Sequence, residues 1–286
     1  MYRKKRLVLP FLLPGLAGLL LFYVAPFFGG IWYSLTDGSF ENTFVGFKNY
    51  STVWQNQMFQ LGLRNTLELS QICAPLLFLL SFVISVVVNR MRPTGSTFRN
   101  TALLPYLMPS SAVLIIWLLW FDYGGPVNHL ITALGGSRIT WLQGASLRFP
   151  VVLLFLWKNL GFCVVIFLAA LQAIPVSLYE YATLEGASFP RQAFKITLPL
   201  IVPSAFLVFI LCWVNAFRIF KEVYFIGGAY PDEPIYTLQN YMNNMYSKLN
   251  YQNVTTAAYI FAVIVFVLFG LLFLSQRRAL KRLGGE

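Results

Sequence analysis

The sequence predicts an all-α integral membrane protein with six transmembrane helices and both termini in the cytoplasm. Three observations lead there. Hydrophobic residues make up 58% of the 286 residues and charged ones only 11%, against about 25% charged in soluble domains. The apolar residues gather in six runs, each close to the ~20 residues that cross ~30 Å of hydrocarbon as a helix and so satisfy their own backbone there. The basic residues gather in alternate connecting segments.

The first run, 7–32, follows Arg3, Lys4, Lys5 and Arg6. A cleaved leader has the same charged start but an apolar stretch of only about 7–15 residues and a small-x-small cleavage site. This run is longer and lacks such a site, so it reads as a retained span, kinked or broken by Pro10, Pro14 and Pro26. Further runs lie at 63–88, 101–121, 149–171, 198–220 and 256–274. With the first residues inside, the cytoplasmic segments also hold Arg90, Arg92, Arg99, Arg191, Lys195, Arg277, Arg278, Lys281 and Arg282. That makes thirteen of the 21 basic residues, an asymmetry that follows the positive-inside rule. It accounts for much of the +11 net charge without any nucleic-acid partner. The chain reads as one membrane domain, 1–286, contacting membrane lipids.

The outer segments are short and punctuated by turn residues: Asp37-Gly38 and Gly46, Gly124-Gly125-Pro126, Gly135-Gly136, Gly227-Gly228 and Pro231 to Pro234. They read as connectors, none long enough for a separate domain. Cys73, Cys163 and Cys212 fall inside apolar runs and read as small core hydrophobes rather than a disulfide or metal set. The single histidine, His129, lies in an outer segment with no ligand cluster around it. No phosphate-binding G-x-x-x-x-G-K-[ST] loop, metal motif or nucleophile set is present, so no catalytic or metal-ligating residue is assigned and no cofactor is expected in this chain.

One polar island interrupts the apolar pattern between the fourth and fifth runs, at 174–198. Ser177 and Glu180 have capping-box spacing. Ala182 and Leu184 favour a short helix, Gly186 permits a turn at φ > 0, and Pro190 suits the first turn of a second helix. Pro199 and Pro203 then open the next membrane segment. A helix–turn–helix element of this kind beside a bilayer reads as a docking surface.

Polar side chains also occur within the runs. Lys158 and Asn159 lie in the fourth, and Asn215 and Arg218 near the outer end of the fifth with Trp213 beside them. Glu68 lies near the outer end of the second. A charge at mid-bilayer costs at least ~2.5–3.5 kcal/mol and usually faces a bundle interior or an aqueous cavity. Amide, cationic and indole groups suit a hydroxyl-rich solute, so these six residues form a candidate substrate path. The competing reading has Glu68 and Arg218 snorkelling to the interface and Lys158 paired internally.

The island carries Glu180, Ala182, Glu185, Gly186 and Ala187, followed by Ile196, Leu198 and Pro199. This pattern resembles the signature cytoplasmic loop of bacterial ABC importer permeases, with Tyr181 where Ala is usual and Glu185 where Asp is commoner. Gly46 to Tyr50, Asn65-Thr66, Leu104-Pro105 with Pro109 and Trp117, Leu171-Gln172 with Ile174-Pro175, and Gly227-Gly228 occur in the order seen in the carbohydrate-uptake branch. The chain is similar to the first of the two permease subunits in such importers. It lacks the inserted outer domain of the maltose type and is closer to the glycerol-phosphate and oligosaccharide versions.

The resemblance implies a type I ABC importer permease fold with a cytoplasmic coupling helix, in a bacterial cytoplasmic membrane. Its partners would be a second homologous permease, two ATPase subunits holding ATP and Mg, and an extracytoplasmic solute-binding protein that delivers a sugar. Glu180, Tyr181, Ala182, Glu185, Gly186, Ala187 and Phe189 would then couple to the ATPase. An ion-coupled secondary transporter is the alternative from another class, and an intramembrane enzyme using Lys158 or Glu68 a further one.

Overall fold

The computed structural model describes residues 12–39, 41–90 and 101–284. The basic residues expected at Arg3 to Arg6, Arg92 and Arg99 and the Pro10 kink lie outside the described residues, as do the side chains of Arg90, Phe189, Arg278, Lys281 and Arg282. Among the described residues the chain is helical apart from its turns and one isolated bridge, Thr36 to Phe44. Six helical segments are long and apolar enough to cross a membrane: Leu12–Ser34, Gln57–Asn89, Ser110–Ala133, Gly144–Gln172, Pro190–Gly227 and Tyr251–Arg277.

The chain divides into two compact units. One comprises the residues up to Gln60 with Tyr241–Leu274, and the other Leu61–Asn240 with the residues from Ser275 onward. In the first unit, α1 (Leu12–Ser34) is neither broken nor simply α-helical. A π-turn over Leu20–Val24 comes directly before Pro26, with the Ala25 N–H bonded to the Leu20 carbonyl. The same device recurs in the second unit, where Ala193–Thr197 forms a π-turn ahead of Pro199 and the Leu198 N–H reaches the Ala193 carbonyl. A proline cannot bond the carbonyl four residues back and its ring crowds that group. Widening the preceding turn to i→i−5 spacing keeps the helix running through the defect. The expected break at each proline is therefore a register change.

After α1 the chain turns on Asp37, whose carboxylate accepts N–H bonds from Ser39 (3.0 Å) and Thr43 (3.1 Å) and hydroxyl bonds from both. These donors hold its pKa at about 2, below the ordinary carboxylate value of 3.8; the Thr43 hydroxyl contributes most. Asn49, at the start of α2 (Lys48–Gln55), donates to the Ser34 and Thr36 carbonyls at 3.0 and 2.7 Å. Tyr259, on the last helix, donates to the Phe27 carbonyl.

The second unit is built around α3 (Gln57–Arg90), α4 (Leu104–Leu107), α5 (Ser110–Phe121), α6 (Pro126–Ala133) and α7 (Arg148–Gln172). It continues through α8 (Val176–Leu184), α9 (Phe189–Gln192), α10 (Leu198–Phe217) and α11 (Phe220–Gly227); α12 (Leu238–Ser247) and α13 (Tyr251–Gly284) complete the chain. The centre of this unit is α7, which buries Val151, Leu154, Phe155, Cys163, Val164, Phe167, Leu168 and Leu171. Phe167 meets Phe78 and Phe82 of α3 edge-on at 5.4 and 5.6 Å, and Phe78 meets Phe209 of α10 at 5.4 Å. The Cys163 and Cys212 sulfurs lie 3.7 Å apart between α7 and α10. All three cysteines are buried free thiols.

Two sequence expectations need correction here. The span expected at 101–121 is interrupted: Met108 and Pro109 are extended (ψ 137° and 129°), separating α4 from α5. Pro109 biases the residue before it away from the helical region, which places the break at Met108. The segments expected on the outer side are also not plain connectors, because α2, α6 and α12 fold within them. α2 buries Val53, α6 buries Asn128, and α12 buries Leu238, Asn240, Tyr241 and Asn244. Asn128 explains its own burial by donating to the carbonyls of Asp122, Tyr123 and Ile139 and accepting from the Ile139 N–H and the Trp141 indole.

Candidate functional site

The candidate docking element is a helical hairpin, but its start differs from the expected capping box. Pro175 occupies the N-cap with extended ψ and no side-chain cap bond, so Ser177 is already the second residue of α8. Its hydroxyl is thus two positions too late to cap. The turn at the other end follows the expectation. Gly186 adopts φ +72°, the Ala187 N–H reaches the Ala182 carbonyl at 2.9 Å, and the Gly186 N–H reaches Thr183 at 3.0 Å. These are the two bonds of a Schellman cap.

Cross-bonds close the hairpin: Gln192 Nε2 donates to Thr183 Oγ1 (3.1 Å) and the Ala187 carbonyl (3.0 Å), and the Tyr179 and Thr197 hydroxyls pair at 2.9 Å. Pro190 sits in the first turn of α9 as expected. Contrary to expectation, no new segment begins at Pro199, since helix runs on from Pro190 through the π-turn to Phe217. The tip presents Tyr181 at 68% and Leu184 at 85% of full exposure. Glu180 and Glu185 are exposed beside them, and Ala182 and Ala187 are half-buried. Leu184 was not among the expected docking residues; its only signal was an apolar side chain at the last position before the Gly turn.

The polar side chains of the spans separate into two groups. Lys158, Asn159, Asn215 and Arg218 line one cavity of about 400 Å³, together with Tyr106, Met108, Pro109, Ser110, Phe155, Lys221 and Glu222. The break between α4 and α5 forms part of its wall. Irregular backbone at membrane depth is tolerated where it lines a cavity. Lys158 Nζ contacts Ser110 Oγ and lies 3.9 Å from Glu222 Oε1, with the two side chains only 12% and 9% exposed. It thus pairs internally and lines the cavity at once. The Asn159 amide donates back to the Phe155 carbonyl at 2.8 Å. The ring of Tyr106 stacks on Phe162 of α7 at 4.8 Å and 13°. A Cβ at Gly161 would overlap the Ala102 carbonyl, so that glycine permits the approach of the α4 segment to α7.

Glu68 and Trp213 do not line this cavity. Glu68 is held by Arg64 (2.7 Å) and Arg148 (2.9 Å). Arg148 also donates to Asn65 Oδ1 and the Pro234 carbonyl, and Asn65 donates to the carbonyls of Glu233 and Tyr236. The Leu238 N–H donates to Thr66 Oγ1 at 2.9 Å. Asn65, Thr66 and Glu68 therefore fasten the segment around 233–238 to α3, a structural task. Trp213 is buried in α10 between Phe209 and Phe217, its indole N–H without a partner among the described residues. Sequence reading missed Lys221 and Glu222 because the fifth run was ended at Phe220, whereas helix resumes after the turn at Arg218-Ile219.

This architecture can be set against known proteins. Residues 77–283 match the family described as binding-protein-dependent transport system inner membrane component. The chain belongs to that family. This permease is 32% identical over 235 residues to the trehalose/maltose transport system permease protein MalF of Thermococcus litoralis, covering 80% of each chain. It is 32% identical to the sn-glycerol-3-phosphate transport system permease protein UgpA of Yersinia pestis, over 73% of each. It is 29% identical to the diacetylchitobiose uptake system permease protein NgcF of Streptomyces coelicolor, over 94% of this chain and 82% of that one. Its fold is that of a chain in the crystal structure of a bacterial ABC transporter involved in import of the acidic polysaccharide alginate, with TM-score 0.84, 22% identity and 96% coverage of both. The permease is a multi-pass inner-membrane transport component.

Proposed function

We propose that this chain is one of two permease subunits of an ABC importer for a sugar or oligosaccharide, acting as a single permease domain over 1–286. Both termini and the 174–198 hairpin face the cytoplasm. The hairpin residues Glu180, Tyr181, Ala182, Glu185, Gly186, Ala187 and Phe189 dock on an ATPase subunit. Two such ATPases bind ATP and Mg and hydrolyse the nucleotide, since this chain has no nucleotide-binding loop. An extracytoplasmic solute-binding protein delivers the sugar to a passage shared with the second permease. The relatives' names support a carbohydrate or polyol phosphate as cargo, and the basic residues support the orientation.

The observation that carries this reading is mechanical continuity. The helix that begins inside the hairpin at Pro190 runs to Phe217 and delivers Arg218 to the cavity at its C-terminus, with Lys221 and Glu222 following one tight turn later. At 1.5 Å per residue, Arg218 lies about 40 Å along the rod from Pro190. A displacement imposed at one end is thereby carried to the other, as alternating access requires.

The test is reconstitution. The permease pair with its ATPases and binding protein, in proteoliposomes, should accumulate the binding protein's cargo only with internal ATP and Mg. Uptake of equal rate without the ATPases would overturn the reading.

A further inference from the structure

The charge balance of the cavity identifies the kind of saccharide it fits. Three cationic side chains, Lys158, Arg218 and Lys221, face one carboxylate, Glu222. Glu222 is 3.9 Å from Lys158, and the two form a half-neutralised pair bound into the wall through Ser110. Lys221 lies beside Glu222 and shares that one carboxylate with Lys158, whereas the Arg218 guanidinium and the side-chain amide of Asn215 have no partner among the described residues. The N-terminus of α5 opens on the same wall at Ser110 and adds partial positive charge.

An excess of three cations over one carboxylate in a recess within the spanning segments is costly, and its cost falls when an anion occupies the space. A recess lined by one sign of charge with low-dielectric walls also concentrates ligands of the opposite sign. A guanidinium offers two parallel donors that match a carboxylate, sulfonate or phosphate. The remaining wall suits a sugar ring: the face of Tyr106 for its apolar side, and Asn159 and Asn215 for its hydroxyls. At about 400 Å³ the cavity lies in the range of small-ligand sites, roughly 300–1,000 Å³.

We propose that this permease conducts a saccharide bearing an oxyanion, and that Arg218 and Lys221 are the groups that receive its charge. The proposal rests on the importer reading above and narrows its cargo.

Glucuronate and glucose share a ring and differ in charge, so they serve as matched probes. Each is titrated calorimetrically into the assembled permease–ATPase complex without binding protein, with a nonhydrolysable ATP analogue holding it open to the outside. Glucuronate should bind at least roughly tenfold more tightly than glucose. The preference should weaken as sodium chloride is raised and should vanish in Arg218→Gln/Lys221→Gln. Both replaced side chains are exposed, so folding should survive, and assembly of the variant with its ATPases at the native yield checks that it has. Equal affinities, no detectable glucuronate binding, or a preference that survives in the variant would each overturn the proposal. Uptake of the binding protein's own cargo into proteoliposomes separates the two readings. Absence of any ATP-driven uptake removes the importer reading itself, whereas normal uptake with indifferent probe binding removes only the anionic assignment.

Discussion

At the residue scale, Gly186 and Asp37 illustrate two ways in which a single position sets local geometry. A Cβ at Gly186 meets open space, so steric contact does not demand glycine there; the φ of +72° does. An L-residue held in the left-handed region costs about 1–2 kcal/mol, more for a β-branched one, enough to loosen a Schellman cap that rests on two bonds. Gly186→Val should therefore leave the amount of permease in the membrane unchanged while reducing ATP-driven uptake by tenfold or more, with Gly186→Asn retaining more. Immunoblotting and uptake in the same vesicles check this; normal uptake by the valine variant would count against the docking role.

Asp37 makes a prediction in pH. Its folded pKa, about 2, lies below the unfolded value of 3.8. The stabilisation it gives is thus complete above pH ~4 and is lost as pH falls through about 2. Amide exchange in the 36–45 loop should be slow from neutral pH to about 4 and quicken, relative to the intrinsic rate, toward pH 2. Asp37→Asn should exchange quickly at neutral pH with no such dependence. A loop whose protection in the native chain tracks a midpoint near 4 would show that these hydrogen bonds do not hold the carboxylate.

At the scale of elements, Tyr179 and Thr197 bind the two arms of the hairpin through one hydroxyl pair at 2.9 Å. A hydrogen bond of this sort contributes about 0.5–1.5 kcal/mol, so Tyr179→Phe and Thr197→Val should each lower uptake severalfold. Combined, they should cost little more than either alone, because both remove the same bond. Sugar moved per ATP hydrolysed is the quantity to measure; additive losses would show that the bond is not the shared cause.

The hairpin also shows which parts of an element can be read in sequence. Gly186 and Pro190 were legible because each acts through its own backbone. The capping box was not, because Pro175 fixes the helix start two residues before Ser177, and spacing alone does not tell which residue is the N-cap. The run 198–220 was legible as apolar, but the helix joining it to α9 depends on a π-turn that no local pattern announces. The cavity shows a similar division. Lys158, Asn159, Asn215 and Arg218 stood out as polar groups inside apolar runs. Glu222 did not, because its partner Lys158 is brought to it by packing of α11 on α7. Glu68 stood out equally yet serves the clamp with Arg148, since polarity in a span signals a partner without saying which.

At the scale of the whole molecule, the decisive quantity is the side of the membrane on which the hairpin lies. The positive-inside rule argues for the inner side, and docking on a cytoplasmic ATPase requires the same, so a direct determination bears on both arguments. The three native cysteines are buried, which leaves a low background for labelling introduced ones. Leu184, at the hairpin tip, and Leu134, after the outer helix α6, are 85% and 80% exposed, so cysteine at either position should be tolerated and reactive. In intact cells stripped of any outer membrane, a membrane-impermeant maleimide should label Leu134→Cys and spare Leu184→Cys. In inside-out vesicles the pattern should reverse. Adding the purified ATPases to those vesicles should then protect Leu184→Cys and leave Leu134→Cys as it was. Labelling of Leu184→Cys in intact cells would overturn the orientation and the docking role together, whereas correct sidedness without protection would remove only the docking role.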